Sequence, residues 1–289
     1  MANGILIVDK PQEWTSMDVC AKLRGIFHEK RVGHGGTLDP MATGVLPVFL
    51  GRATRAVEFA AEGDKEYIAG LRLGVTTNTQ DMTGEILAEQ PVNVTQTQLE
   101  EVLPAFQGDI LQIPPMYSAI KIQGKKLYEL ARKGREVERP PRPVTIHSLT
   151  VEQQTGLGEF VLRVHCSKGT YVRTLCHDIG QKLGCGGAMS SLRRVRASSF
   201  SIGQAVSLEE IQRHENPLSL LLPVDSLFAP SPALTLEPSA EKKIRNGMTF
   251  SLPRTPEGIY RVYGQDQAFL ALCRMEQGKL KTIKSFFEV

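Results

Sequence analysis

Residues 33–51 read Gly33-His34-Gly35-Gly36-Thr37-Leu38-Asp39-Pro40-Met41-Ala42-Thr43-Gly44-Val45-Leu46-Pro47-Val48-Phe49-Leu50-Gly51. Five glycines, two prolines and one acid fill this stretch, and small or polar residues give way to a run of Val, Leu and Phe. Glycine reaches backbone conformations closed to other residues, and proline fixes φ while removing a donor. The pattern therefore predicts a tight loop feeding a buried strand. Asp39 is the only carboxylate of the loop, and Pro40 biases its backbone toward the extended region. A carboxylate on a shaped loop is placed for chemistry, yet an Asp before Pro also commonly bonds its own turn. From these residues alone both readings stand.

Outward from the loop, residues 4–11 (Gly4-Ile5-Leu6-Ile7-Val8-Asp9-Lys10-Pro11) form a short apolar run stopped by proline, the pattern of a buried strand. Thr15-Ser16-Met17-Asp18 offers a capping box, and Val19, Leu23 and Phe27 recur every four residues, which predicts a helix with one buried face. On the other side, residues 52–57 begin a helix, and residues 65–74 alternate as a strand with Tyr67, Ala69, Leu71 and Leu73 on one face. Residues 76–84 are polar and loop-like, and Leu99, Val102, Leu103 and Phe106 mark a helix capped near Thr95 or Thr97. Phe160, Leu162, Val164 and Cys166 alternate as a strand running into Ser167-Lys168-Gly169-Thr170-Tyr171-Val172-Arg173. From there Val172, Leu175, Cys176, Ile179 and Leu183 make a helical stripe ending at Gly184. With Thr170 as N-cap, Tyr171 and Arg173 fall in the first turn, where free N–H groups and the positive end of the helix dipole suit an anion.

At 289 residues the chain is long enough to bury a substantial core, and 41% apolar with 22% charged residues is an ordinary globular composition. No apolar run reaches the roughly 18 residues of a membrane helix, and Met1-Ala2-Asn3-Gly4 does not open a signal peptide, so the expected location is the cytoplasm. The five cysteines are odd in number and contain no C-x-x-C pair, which suits reduced thiols. His165-Cys166 and Cys176-His177 are too widely spaced for a zinc knuckle. The net charge is only +3, but residues 121–142 hold eight Lys or Arg against three acids, and residues 231–289 hold nine against six. Basic segments separated by neutral ones suit a polyanion tracked over a discontinuous surface, and equally a solvated helix face.

The loop, G-H-G-G-T-L-D-P-x-A-T-G-V-L, resembles the catalytic loop of the TruB family of pseudouridine synthases, and four further segments resemble that family in its own order. Lys10-Pro11 through Ser16 is similar to its opening K-P-x-G-x-T-S, with Glu13 where that pattern has glycine. Residues 114–134, from Pro114-Pro115-Met116-Tyr117-Ser118-Ala119 to Gly134, resemble its P-P-x-Y-S-A-x-K-x-x-G-x-x-L-Y-E-x-A-R-x-G segment, which packs against RNA. This segment reads as an extended entry, a basic loop and a short helix from about Leu127 to Lys133 ended by Gly134. Residues 168–173 resemble K-G-T-Y-x-R, and Leu192-Arg193-Arg194 resembles an L-R-R strand.

The resemblance implies an α/β (α+β) pseudouridine synthase fold, a mixed β-sheet flanked by helices over residues 1–230, with an RNA-binding insert at about 112–142. After the linker-like Phe228-Ala229-Pro230-Ser231-Pro232, it implies a small β-rich PUA-like RNA-binding domain at 231–289. It implies conversion of uridine 55 in the TΨC arm of transfer RNA to pseudouridine, with Asp39 as nucleophile. By the same resemblance His34, Tyr67 and Tyr171 contact the nucleotide, Arg173 pairs with the carboxylate, and Leu192 lines the uracil pocket. The isomerisation moves no net electrons, so neither cofactor nor metal is expected, and the chain is expected to act as a monomer without an obligate protein partner. Whether the carboxylate attacks the base, attacks C1′ or triggers a glycal route is not readable from sequence. The alternatives are a guide-RNA-dependent relative, a non-catalytic RNA-binding or RNA-folding module, and an Asp-nucleophile phosphotransferase or glycosidase, which lacks a D-x-D after Asp39 and a second carboxylate in a comparable loop.

Overall fold

In the computed structural model, which describes residues 2–122 and 124–287, the apolar run after the glycine-rich loop is a strand, Thr43–Leu50, buried from Gly44 onward. It pairs antiparallel with Gly4–Lys10, from Gly4↔Leu50 to Lys10↔Gly44. On its other side it pairs parallel with Gly187–Ala197, through Arg193↔Thr43 and Arg194↔Gly44. That short parallel contact joins the two halves of a ten-stranded mixed sheet, in which the edge strand Val206–Ser207 also runs parallel to Gly4–Lys10 and the remaining pairs are antiparallel. The strands run in the order Val206–Ser207, Gly4–Lys10, Thr43–Leu50, Gly187–Ala197, Lys65–Leu73, Glu159–Cys166, Arg142–Gly156 and Gly108–Gln112. Val32–His34 and Phe200–Ser201 pair off this path.

Helices cover the apolar faces as their stripes require. Thr15 caps the helix Ser16–Phe27: its Oγ1 accepts from Asp18 N at 3.0 Å, and Thr15 N donates back to Asp18 Oδ2 at 2.9 Å. The helix buries Val19, Leu23 and Phe27 against Leu6, Val8, Leu46 and Val48. The helix Val172–Lys182 buries Leu175, Cys176 and Ile179 against Tyr67, Ala69, Leu71, Phe160 and Leu162. Each large apolar side chain so buried contributes about 1.5–3 kcal/mol. This second helix begins one residue later than the sequence reading: its N-cap is Tyr171, without a side-chain cap. The Thr170 hydroxyl is used elsewhere, donating to Ser167 O at 3.0 Å across a turn that Gly169 closes at φ +79. The basic-loop helix is also shorter than expected, Leu127–Ala131, before the turn at Gly134.

The C-terminal part is a second sheet of five strands, in the order Ala233–Thr235, Gly258–Tyr263, Phe269–Glu276, Lys279–Ser285 and Phe250–Ser251, with the helix Pro238–Arg245. Phe228, which reads as the start of a linker, is instead buried, its ring 5.3 Å from that of Phe59 and 5.8 Å from that of Phe286. One apolar cluster therefore spans both sheets, with Phe49 and Phe200 from the first and Leu272 and Phe286 from the second. Among the described residues no helix is long and apolar enough to cross a membrane.

Candidate active site

The loop carrying Asp39 is held from three sides. Ala42 N donates to Asp39 O at 3.0 Å, closing the turn that Pro40 starts. Ser16, at the start of the first helix, accepts from Leu38 N at 2.9 Å and donates to Leu38 O at 3.2 Å. Pro40 O accepts from Glu13 N at 2.7 Å and from Lys10 Nζ at 3.2 Å. Lys10 is fully buried, and its ammonium also donates to Pro11 O and Trp14 O at 2.8 and 2.6 Å. Burial pulls its pKa down to about 8, with the Asp39 charge opposing that shift. Glu13 holds its place at φ +69, a left-handed backbone that glycine would adopt without strain.

The Asp39 side chain is 38% exposed and opens onto a cavity of about 740 Å³. Across it, Arg173 projects from the first turn of the helix Val172–Lys182 and forms an ion pair with Asp39 Oδ2. The same guanidinium lies 3.4 Å from Asp81 Oδ2. Asp81 is fixed in turn, for its Oδ1 accepts from Thr79 Oγ1 at 2.8 Å, Thr83 N at 3.0 Å and Thr83 Oγ1 at 2.5 Å. A charged, hydrogen-bonded acid that donates nothing back is well suited to orient a guanidinium.

Of the residues singled out from sequence, Asp39, Tyr67, Tyr171, Arg173 and Leu192 all line this cavity. Tyr67 and Leu192 are buried, on neighbouring strands, and belong to the apolar cluster under the helix Val172–Lys182. Burial pushes the hydroxyls of Tyr67 and Tyr171 up from their ordinary value, so both phenols keep their protons at neutral pH. His34 is not brought to the cavity wall: it ends the strand Val32–His34, opposite Val48. Its Nδ1 is buried without a partner among the described residues, and burial, then Arg194, lowers its pKa. The ring is therefore uncharged at neutral pH.

The sequence reading overlooked three wall residues, Asp81, Lys65 and Arg194, and the buried Lys10 that holds the loop through Pro40 O. The available signal at Asp81 was a lone acid among Thr77, Thr79 and Thr83, a pattern that bonds its own backbone. Among the described residues one group has metal-type ligands, Asp64, His147 and His165, outside the cavity lining. The Arg196 guanidinium lies 2.8 Å from His165 Nε2, so that lone pair already serves a cation of the protein.

A mixed sheet that sets a carboxylate loop against a helix-borne arginine, in a cavity walled by tyrosines and leucine, defines the pseudouridine synthase class of fold and site. The comparisons agree. Residues 24–172 match the N-terminal domain of the TruB family pseudouridylate synthases, and residues 173–229 match the C-terminal domain of tRNA pseudouridylate synthase B. The chain belongs to the TruB family, and it is a pseudouridine synthase, an enzyme of the isomerase class. Among its relatives, a protein of Clostridium kluyveri named tRNA pseudouridine synthase B is 41% identical, over 98% of this chain and 99% of that one. A protein of the same name from Azoarcus is 43% identical, over 97% of this chain and 94% of that one. Among solved structures, a chain of a Cbf5-Nop10-Gar1 complex superposes with a TM-score of 0.75 at 25% identity, covering 99% of this chain and 85% of that chain.

Proposed function

We propose that this protein converts uridine 55 in the TΨC arm of transfer RNA to pseudouridine, with Asp39 as nucleophile and without a cofactor. The observation that carries the reading is the Asp39–Arg173 ion pair facing the cavity. Arg173 engages Oδ2 of the carboxylate, and Oδ1 has no protein partner among the described residues, leaving one oxygen for the substrate. The names of the bacterial relatives support transfer RNA as the substrate.

The reaction breaks the C1′–N1 bond, rotates the uracil and forms C1′–C5, while the C5 proton is lost and N1 gains one. A uracil stacked in a folded loop is out of reach of the carboxylate, so it is flipped out at a cost of a few kcal/mol. A cavity of about 740 Å³ is ample for one nucleotide. Tyr67 stacks on the flipped base, Leu192 packs its edge, and Tyr171 contacts the nucleotide, whereas His34 lies off the cavity wall. The basic residues of 121–142 and the five-stranded C-terminal domain, read as PUA-like, hold the RNA backbone without reading sequence. The enzyme acts as a monomer in the cytoplasm, with no obligate protein partner.

Tritium release from an unmodified transfer RNA transcript carrying 5-tritiated uridine, with wild type and Asp39→Ala side by side, tests this. Release by wild type alone, mapped to position 55, is the expected result. Release at another uridine overturns the substrate, and no release from folded wild type that binds the transcript overturns the stand-alone enzyme.

A further inference from the structure

Arg194 is 1% exposed, and among the described residues no carboxylate forms an ion pair with it. A buried guanidinium without a counter-charge is costly, by several kcal/mol in general, so its hydrogen bonds must offset a large penalty. Those bonds go to one place. Arg194 Nε donates to Val45 O at 2.7 Å and its NH2 donates to Gly36 O at 3.1 Å, two carbonyls that bracket the loop carrying Asp39. The main chain of the same residue holds the same loop, because Arg194 pairs with Gly44 in the parallel contact between the two halves of the sheet. Gly44 sits there at φ +98, and a Cβ on it would lie 2.2 Å from Arg194 O. Arg194 is also the register partner of Tyr67 on the neighbouring strand, both line the cavity, and the guanidinium charge opposes the effect of burial on the Tyr67 hydroxyl.

We propose that Arg194 is a positioning residue: it locks both ends of the Asp39 loop to the strand Gly187–Ala197, which is paired in register with the strand of Tyr67, fixing the carboxylate relative to the Tyr67 strand before RNA arrives. The inference rests on the reading above in which Asp39 and Tyr67 act on the flipped nucleotide. The planar guanidinium reaches the two carbonyls from different nitrogens in fixed directions, a geometry that the compact point charge of an ammonium does not reproduce. The charge has a second effect consistent with this role. With burial as the larger cause, Arg194 lowers the pKa of Lys65 to about 8 and also lowers that of His34.

Arg194→Lys and Arg194→Met, assayed by tritium release beside wild type and Asp39→Ala, test the proposal. The expected result is a fall in kcat of about a hundredfold per folded molecule, the cost of a misplaced reacting group, with KM for the transcript within about threefold of wild type. Hydrogen exchange should quicken at amides 36–45 of either variant while the strand Glu159–Cys166 stays protected. Wild-type kcat in a folded variant, or a loss explained wholly by its unfolded fraction, overturns the proposal. If neither variant folds, exchange of the Arg194 Nε–H in wild type decides: protection equal to that of the surrounding sheet supports the lock, and exchange at the rate of an open loop overturns it. Should Asp39→Ala remain active, the nucleophile reading fails first; a dead Asp39→Ala beside a fully active Arg194→Lys removes only the lock.

Discussion

The Arg173 guanidinium lies 3.4 Å from the Asp81 carboxylate, and only 8% and 4% of the two side chains are exposed. Arg173 therefore meets Asp39 with its direction already set by a second acid, which the three hydrogen bonds to Asp81 Oδ1 hold in place. The arginine bridges the buried carboxylate of Asp81 and the half-open one of Asp39.

Asp81→Asn keeps the shape of the side chain and removes the charge behind Arg173. We expect kcat for pseudouridine formation to fall by about a hundredfold while KM for the transcript changes little, because the loss is one of orientation in the reacting complex. Single-turnover tritium release with saturating enzyme measures it. Undiminished turnover would mean that Arg173 needs only Asp39.

Much of this site is legible in sequence because it is local. The glycines and prolines of residues 33–51 specify loop and strand within one short stretch, and the stripe Val172, Leu175, Cys176 and Ile179 specifies the helix that carries Arg173. What escapes is whatever depends on pairing between distant strands. Nothing around Arg194 announces that it lies opposite Gly44, and nothing around Asp81 announces Arg173. The one-residue slip at the helix start has a local cause, since the Thr170 hydroxyl could cap the helix or close the preceding turn and does the latter. Phe228 misleads for a related reason: the prolines after it signal a linker, but its ring is claimed by Phe59 and Phe286 from either side of it in sequence.

Glu13 stands at φ +69 where the family pattern has glycine, while its N–H holds Pro40 O. A left-handed backbone costs a residue with a side chain roughly 1–2 kcal/mol, partly offset by the extra freedom glycine gives the unfolded chain. Glu13→Gly should stabilise the protein by about 0.5 kcal/mol with turnover unchanged, and Glu13→Val should destabilise it by more than that. Chemical denaturation of the three proteins checks the order, and a less stable glycine variant would remove strain as the explanation.

Lys65 is 6% exposed, its ammonium donates to Ala61 O and Gly63 O, and its pKa is pulled down from 10.5 to about 8 by burial and by Arg194. Between those two values the unfolded chain binds a proton that the folded protein has released, so folding stability rises with pH across that window. Comparing wild type with Lys65→Met cancels the other titrating groups. Their difference in unfolding free energy should shift in favour of wild type by about 1 kcal/mol between pH 7 and pH 9. A difference independent of pH would place the Lys65 titration at its ordinary value.

The C-terminal domain is joined to the catalytic sheet by apolar packing more than by its ion pairs. Phe228 sits among Phe59, Phe269 and Phe286, with ring centroids 5.3, 6.1 and 5.8 Å away. The Lys284–Glu58 pair across the same junction, at 2.7 Å, is partly exposed, and such pairs contribute about 0–1 kcal/mol. Phe228→Ala should therefore cost about 3–5 kcal/mol at the junction, and Lys284→Ala less than about 1 kcal/mol. In Phe228→Ala, hydrogen exchange should quicken first in the strands Phe269–Glu276 and Lys279–Ser285, and proteases should gain access to residues 229–232. The cavity is lined by none of these residues, so kcat should persist at temperatures where the catalytic sheet remains folded, and any loss of activity should appear in KM for the transcript. Equal costs for the two substitutions would show that the ring cluster is not what couples the two sheets.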